Sequence, residues 1–442
     1  MGVKYIEQVK SIVLLLLILL SFTLTFSIWT YSPVLQKNEA AIVDISIAEK
    51  KNFEDVIKPY RMIISQDDAI KGTSASQPIE YVLKNMENWE IQTVELASNK
   101  VNTDQINDFV KVPNRASFFF AAEVPVELLG NILNFADDNF PNAYFNRLII
   151  DWNEDISDSM TLYFISTSQQ KIYKATAEKA DKLVFTNRIV EYGETMQVYN
   201  EIVRDNKLSL YVSSIPENIG SYTYRIKEIE SDKFKDALFN NPSLVRSNPV
   251  SMSEQQFTDD SALMNVNFTY KSLHYVHPAS ENENPGNPVD LITNSLNFVN
   301  EHNGWTDDYR YSRMNTATRQ INYQLYFAGL PVFSRDTLTE ISQYWGLERV
   351  YRYYRPLYTI HVADRLKTQE VQLASGQSIY DFLSTSTDTN MNSIDDVLMG
   401  YYLSRDDDQF LFNLEPCWYY LESGSWVRVS PELLGGAKFG LE

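Results

Sequence analysis

The longest apolar segment of the chain lies near the N-terminus. Residues 12–29 contain no charged side chain. As a helix this segment would be about 27 Å long, close to the hydrocarbon thickness of a bilayer. Lys4 and Lys10 precede it and Pro33 follows it. Because basic residues favour the cytoplasmic side, the pattern predicts a short cytoplasmic tail and one transmembrane anchor in residues 1–33, with the remaining chain extracellular at the cell membrane.

Two other interpretations of this segment stay open. A cleaved signal peptide has a shorter apolar run and a cleavage site with two small residues, which Thr25-Phe26-Ser27 matches poorly. A buried core helix is the other alternative. No second apolar run of membrane length follows, so a single-pass protein is predicted.

Residues 34–155 alternate between strand and helix patterns. Strands are predicted at residues 60–65 and at the Phe triplet 118–120. Amphipathic helices are predicted after Pro78 and after Pro125, where apolar residues recur three and four positions apart.

Residues 156–250 are richer in strand patterns. Residues 161–166 and 171–175 flank a Thr-Ser-Gln-Gln turn, which predicts a hairpin. A further strand is predicted at 222–229 and a short helix around 234–238. The Asn-Pro pair at 248–249 is taken as the end of this region.

Residues 251–442 show the clearest strand pattern of the chain. Residues 321–327 alternate strictly between two faces, and 351–362 form a second aromatic strand whose Pro356 indicates an edge or a bulge. A helix is predicted at 378–383. Residues 397–404 and 409–421, joined by Arg-Asp-Asp-Asp, predict a long hairpin.

These elements predict an α+β fold, in which a single N-terminal transmembrane helix precedes a multi-domain ectodomain of antiparallel sheets with helices packed on them. The predicted divisions are 1–33 for the tail and anchor, 34–155 for an α/β domain, 156–250 for a β-rich domain and 251–442 for a hairpin domain.

Composition narrows the function classes. The 442 residues include 58 acidic and 38 basic side chains, for a net charge of −20. No general nucleic-acid surface is expected, because phosphate binding requires a basic stripe. The single cysteine, Cys417, excludes a disulfide framework or a cysteine-based zinc cluster within one chain and is interpreted as a small core residue.

The predicted anchor carries two pairs of hydroxyl side chains at a spacing of four residues. Ser21 and Thr25 form one pair, and Thr23 and Ser27 form the other on nearly the opposite side. Small residues at this spacing allow helices to approach closely in lipid, so we expect both faces to pack against partner helices. The alternative is that the hydroxyls donate to backbone carbonyls of their own helix.

Partial catalytic motifs are weak. Ser168 and Lys171 have S-x-x-K spacing, but they lie on the predicted hairpin turn and no companion motif follows. His274 and His277 have metal-ligand spacing, but no third histidine or cysteine lies nearby and Pro278 disfavours a helix. We therefore predict no catalytic residues, no cofactor and no metal site, and the chain is not expected to be an enzyme.

One segment resembles a calcium-binding loop. Asp388, Asn390 and Asn392 match its first ligands, but positions six and twelve are Ser393 and Met399. The favoured interpretation is a helix start, with Ser393 as N-cap and Asp396 closing a capping box.

Several strings occur in a characteristic order. They are residues 28–33 (IWTYSP), 329–333 (GLPVF), 373–376 (LASG), 394–401 (IDDVLMGY) and 414–418 (LEPCW). With the chain length and the single anchor, this order resembles the YycH family of membrane-anchored regulators from low-GC Gram-positive bacteria.

The resemblance implies an accessory role in the WalK–WalR two-component system, which controls cell-wall metabolism. The implied partners are the sensor histidine kinase WalK and a YycI-like regulatory protein. Residues 1–33 would contact the kinase helices in the membrane, and residues 34–442 would pair with the YycI-like protein. A three-domain ectodomain without known catalysis is also implied.

Two function classes follow. The first is a regulator that biases a kinase between states through protein contacts. The alternative is an anchored cell-envelope enzyme or wall-polymer-binding protein, in which exposed tyrosine and tryptophan side chains stack on sugars. An acidic pocket would favour the alternative, and an exposed apolar face on a hairpin sheet would favour the regulator.

Overall fold

The computed structural model describes residues 13–23, 25, 48–66, 69–137, 139–153, 158–282, 284–360, 365–386, 389–406 and 410–429. The chain divides into two compact units, residues 1–44 and residues 45–442.

In the first unit, residues 13–23 form helix α1, and residue 25 is also helical. Among the residues that the structure describes, no helix combines the length and the apolar character needed to cross a bilayer. Lys4, Lys10, Ser27 and Pro33, on which the anchor prediction also depends, lie outside the described residues.

The second unit contains seven described α-helices and several 3-10 turns. The α-helices are α2 (Phe53–Val56), α3 (Ser76–Asn85), α4 (Thr103–Lys111), α5 (Lys182–Thr195), α6 (Ser231–Leu238), α7 (Pro288–Glu301) and α8 (Gly376–Thr385). The 3-10 turns are Met86–Asn88, Val126–Asn131, Pro242–Leu244 and Pro278–Ser280. The helices predicted after Pro78 and at 378–383 are confirmed as α3 and α8. The helix predicted after Pro125 does begin there, but it is a short 3-10 helix, Val126–Asn131, and not an α-helix.

The first sheet uses the strands between residues 61 and 213. They are β1 (Arg61–Gln66), β2 (Ala69–Thr73), β3 (Glu90–Ile91), β4 (Glu95–Ser98), β5 (Arg115–Pro125), β6 (Asn134–Phe135), β7 (Tyr144–Asp151), β8 (Ser159–Ser166), β9 (Lys171–Glu178), β10 (Gln197–Arg204) and β11 (Lys207–Ser213). Their spatial order is β11-β10-β2-β1-β5-β7-β8-β9-β3-β6, and β4 also pairs with β9.

The predicted hairpin after residue 160 is confirmed as β8 and β9, which pair from Ser159↔Glu178 to Ser166↔Lys171. β7 pairs with β8 from Arg147↔Ile165 to Asp151↔Thr161, so strands on both sides of the division predicted at residue 155 share one sheet. The chain passes from the first sheet to the second between Ser213 and Glu217. Long-range strand pairing sets this position, and a local shift in composition does not report it.

The remaining strands begin at residue 217. They are β12 (Glu217–Arg225), β13 (Lys227–Glu228), β14 (Arg246–Pro249), β15 (Glu254–Thr258), β16 (Leu263–Asn267), β17 (Ser272–Val276), β18 (Asp308–Asn315), β19 (Gln320–Phe327), β20 (Leu330–Phe333), β21 (Glu340–Trp345), β22 (Val350–Pro356), β23 (Tyr358–Thr359), β24 (Arg365–Leu373), β25 (Ile394–Asp406), β26 (Leu411–Glu422) and β27 (Ser425–Arg428).

The second large sheet has the order β14-β15-β16-β17-β22-β21-β19-β20-β25-β26-β12-β24, with β18 on β19 and β27 on β26. β13 and β23 form a separate small pair. β14 and β15 pair across residue 250, the other predicted division. β20 joins the two halves of the sheet, because it pairs antiparallel with β19 and parallel with β25.

The long C-terminal hairpin is confirmed as β25 and β26, which pair from Ile394↔Glu422 to Asp406↔Leu411. The helix start assigned to Ser393 and Asp396 is wrong, since β25 begins at Ile394. The Ser393 hydroxyl donates to the Asn390 carbonyl and contacts Glu422, and Asp396 pairs with a distant arginine. Twelve ladder pairs with β26 outweigh a local cap preference.

The apolar core of residues 45–442 runs through both large sheets. Phe118, Phe145 and Phe164 are fully buried in the first sheet, and Tyr323 and Tyr353 are fully buried in the second. Cys417 is also buried, which confirms its interpretation as a core residue. The helices and sheets together form a mixed α+β fold.

Candidate functional site

A cleft of about 610 Å³ opens between the two large sheets. The first sheet contributes Phe120, Ala121 and Arg147 from β5 and β7. Strands of the second sheet contribute the opposite side, including Arg313 on β18 and Trp426 on β27. Its volume lies in the range of small-ligand sites.

A buried network joins the two sheets beside the cleft. The Tyr60 hydroxyl donates to Asp396 Oδ2 over 2.5 Å, and Arg61 Nη1 donates to Asp396 Oδ1 over 3.0 Å. Arg61 Nη2 donates to the carbonyl of Val397 over 2.7 Å. Burial, followed by the nearby Asp396 carboxylate, raises the pKa of Tyr60, so this hydroxyl stays protonated and donating.

The lining of the cleft is rich in charge. It carries four cationic side chains (Arg147, Arg204, Lys207 and Arg313) and three carboxylates (Glu340, Asp395 and Asp396). The Lys207 ammonium lies 3.5 Å from Asp395. Arg204 donates to the backbone carbonyls of Leu208 and Ile394, and burial lowers its pKa. The cleft is therefore not the acidic pocket that a wall-acting enzyme was expected to have.

Aromatic rings support the charged groups. The Arg147 guanidinium lies 4.2 Å from the ring centre of Phe119, a cation–π contact between neighbouring strands of the first sheet. On the second sheet Phe333 packs against Tyr419 at 4.4 Å and Trp426 at 6.0 Å between ring centres. The lining thus combines fixed aromatic surface with cationic donors.

Of the four hydroxyl residues predicted to pack against partner helices, Ser21, Thr23 and Thr25 are described as helical, and Ser27 lies outside the described residues. Thr23 Oγ1 donates to the Leu20 carbonyl over 2.9 Å, and Thr25 Oγ1 donates to the Ser21 carbonyl over 2.8 Å. These bonds are the intrahelical alternative considered above. Packing of Ser21, Thr23, Thr25 and Ser27 against partner helices stays a prediction.

The side chains of the weak catalytic motifs form contacts within the fold. Ser168 lies in the β8–β9 turn, where its hydroxyl donates to Glu123 Oε1 over 2.8 Å. The His274 ring stacks on Tyr354 at 4.0 Å, and His277 shares a hydrogen bond of 2.9 Å with Ser280. Within the described residues, no group of three or more His, Cys, Asp or Glu side chains could hold a metal ion.

Sequence patterns did not identify the cleft. Its residues come from positions 60 to 426, so no local motif contains them. One signal was available: Arg61 is a single charged residue in an apolar strand sequence, and such residues are rarely buried without a partner.

Comparisons with known proteins match the chain over nearly its whole length. The family model for the YycH protein N-terminal domain matches residues 7–189, and the model for the YycH protein C-terminal domain matches residues 207–434. A Bacillus subtilis (strain 168) protein described as "Two-component system WalR/WalK regulatory protein YycH" is 22% identical over 457 residues, covering 99% of each chain. A crystal structure of YycH from Bacillus subtilis matches with a TM-score of 0.73 and 20% identity, covering 87% of this chain and 99% of that one. The chain belongs to the YycH family.

Proposed function

We propose that this protein is a membrane-anchored extracytoplasmic regulator of a WalK-type sensor histidine kinase that controls cell-wall metabolism. It acts through contacts of its transmembrane helix and its ectodomain, together with a YycI-like partner. Its N-terminus is cytoplasmic, and the unit from residue 45 lies outside the membrane.

One observation carries the proposal. The alignment with a protein named as a WalR/WalK regulatory protein covers 99% of both chains, so no large segment is added or missing in either. Both family models match this chain, the N-terminal one before the C-terminal one. A shared arrangement over the full length supports a shared role better than one matched domain would.

The side chains of α1 support the membrane part of the proposal. The residues from Val13 to Leu20 are all apolar, and each is between 46% and 61% exposed. A helix that is apolar on every side suits lipid or other transmembrane helices as its surroundings.

The proposed mechanism is a shift between kinase states. A bound regulator changes a two-state equilibrium only by as much as its contacts differ between the two states. Contacts both in the membrane and outside it would let one protein detect the relative position of the kinase segments, and the same coupling energy acts in both directions.

A complementation experiment in the native bacterium tests the proposal. A strain lacking this gene carries a WalR-dependent transcription reporter and receives the full chain, a chain whose residues 1–33 are replaced by a cleaved signal peptide, or a chain with an unrelated single-pass anchor. We expect deletion to change the reporter and only the full chain to restore it completely.

The anchor replacements separate two roles of residues 1–33. If the unrelated anchor restores the reporter fully, the helix serves only to hold the ectodomain at the membrane, and helix contacts with the kinase are excluded. If deletion leaves the reporter unchanged under wall stress, the regulatory proposal is wrong.

A further inference from the structure

Three arginines of the cleft, Arg147, Arg204 and Arg313, have no acidic partner among the described side chains, and Arg204 is bound by the carbonyls of Leu208 and Ile394. Arg147 donates to the carbonyl of Asn146 over 2.8 Å and lies over Phe119, and Arg313 is exposed on β18. Neither forms an ion pair with a carboxylate among the described side chains. In a chain with 58 acidic and 38 basic residues, three arginines of one cleft without a carboxylate partner among the described side chains mark an electropositive site.

The acidic groups of the lining are already engaged. Asp396 accepts hydrogen bonds from Tyr60 and Arg61, and Asp395 pairs with Lys207. Glu340 Oε2 accepts from Asn322 Nδ2 over 2.8 Å. Glu340 has no cationic partner among the described side chains, but the four cationic groups of the lining exceed its three carboxylates, and the guanidinium groups of Arg147 and Arg313 supply the positive charge that remains for a ligand.

The lining also includes a stretch of β5 that has no ladder partner in β1 or β7. Pairing of β5 with β7 is interrupted between Phe119 and Val124, and pairing of β5 with β1 ends at Phe119. Ala121 and Ala122 line the cleft within this interruption, and neither has a ladder partner in β1 or β7. Strand backbone without a ladder partner can pair with an added extended chain.

We propose that the cleft binds an acidic peptide segment of a partner protein in an extended conformation. Arg147 and Arg313 would bind its carboxylates, because the planar guanidinium matches a carboxylate with two parallel hydrogen bonds. The backbone at Ala121 and Ala122 would pair with the peptide main chain, and Phe120 and Trp426 would contact its apolar side chains.

The backbone contribution favours a peptide over a phosphate polymer. Both would satisfy the arginines, but only a peptide offers alternating N–H and C=O groups to the unpaired stretch of β5. A peptide with alternating glutamate and valine directs its charges to one side of the strand and its apolar groups to the other, which suits a cleft with arginines and aromatic rings.

Equilibrium binding to the purified full chain in detergent micelles tests the proposal. The probe is an octapeptide of alternating glutamate and valine with a neutral fluorescent dye, followed by fluorescence anisotropy. The comparison ligands are the same peptide with glutamine in place of glutamate, and inorganic polyphosphate as competitor. The variants are Arg147→Gln, Arg313→Gln and the control Arg246→Gln, which removes an exposed charge from β14 outside the cleft.

We expect each cleft variant to weaken binding of the glutamate peptide by about tenfold, as loss of one charged contact does, and the glutamine peptide, which loses both contacts, to bind about a hundredfold more weakly. Arg246→Gln should leave the affinity within about twofold, since a rim charge away from the site acts only through screened long-range attraction. Because Arg313 is exposed, its variant keeps the test valid even if Arg147→Gln fails to fold.

Two results would overturn the proposal. If polyphosphate binds and needs both Arg147 and Arg313, while the peptide does not bind, then the cleft is a site for a phosphate polymer. The cleft would not be a peptide site if the peptide does not bind, or if all three variants bind the peptide as tightly as the unchanged chain does. No kinase is present in this assay, so its failure would leave the proposed regulatory function standing.

Discussion

The guanidinium of Arg61, in β1 of the first sheet, lies 3.0 Å from the carboxylate of Asp396, in β25 of the second sheet. The side chains are 3% and 12% exposed, so both charges are largely removed from water. Breaking such a pair leaves one buried charge without its partner, which costs about 3–5 kcal/mol.

We therefore expect Arg61→Leu and Asp396→Leu each to lower the free energy of unfolding by about 3–5 kcal/mol, and the double variant to lose less than the sum of the two. Urea unfolding followed by tryptophan fluorescence measures the change. The control is Lys58→Gln, which breaks a pair with Glu80 that is 19% and 49% exposed and should cost less than about 1 kcal/mol. Additive losses in the double variant would contradict a direct coupling of the two sheets through this pair.

We expect the free energy of unfolding to fall in acid because His302 is buried in its neutral form. Burial, and then the nearby Arg355, lower its pKa from 6.5 to about 3. The unfolded chain thus binds a proton that the folded chain excludes, so the contribution of His302 is complete above pH 6.5 and falls by about 1.4 kcal/mol for each pH unit towards pH 3.

Comparison with His302→Phe isolates this effect. Between pH 6.5 and 4.5, we expect the unfolding free energy of the native chain to fall by about 2–3 kcal/mol more than that of the variant. Phe298 and Tyr353 contact the ring edge-on, so an aromatic replacement keeps part of the packing. Equal pH dependence of the two chains would show that His302 does not resist protonation in the fold.

At two glycines, we expect replacement by alanine to change the stability of the protein in opposite directions. At Gly400, an added Cβ would lie 2.8 Å from the carbonyl oxygen of Pro331, where β20 pairs with β25. We expect Gly400→Ala to destabilise the protein by about 1–3 kcal/mol, since the strand must shift. At Gly193 in α5 the nearest atom would be 3.9 Å away, so Gly193→Ala should stabilise by about 0.5–1 kcal/mol. Thermal unfolding of both variants tests this pair, and changes of the same sign would contradict it.

The anchor helix allows a test of partner packing. In Ser21→Leu/Thr25→Leu the added volume blocks close helix approach, so we expect a several-fold lower recovery of the WalK-type kinase after crosslinking in cells. Ser21→Ala/Thr25→Val keeps small side chains while removing the hydroxyls, and we expect it to retain the kinase. Unchanged recovery in the leucine variant would exclude this face as a contact.

Local pattern was sufficient for several elements of the fold. The hairpins β8–β9 and β25–β26 follow from apolar alternation around polar turns, and α3 and α8 from helical spacing. Two helix predictions differ from the structure, each in its own way. Ser393 and Pro125 are good local helix signals, but long-range ladder pairing keeps Ile394 in a strand, and the segment after Pro125 forms a short 3-10 turn.

The cleft depended on contacts that no local pattern reports. Arg61 and Asp396 are separated by 335 positions, and Arg147 and Arg313 come from different sheets. A lone arginine in an apolar strand indicates that a partner is needed, but the sequence does not say which carboxylate supplies it.

The sequence by itself determined the apolar N-terminal segment, the α+β class, the acidic balance and the family, because each depends on residue types and their spacing along the chain. Only the tertiary structure decided where one sheet ends and the next begins, which charges are buried together and which remain without an acidic partner. Those features depend on strand pairing and packing between residues hundreds of positions apart, and that free energy is not carried by any short segment.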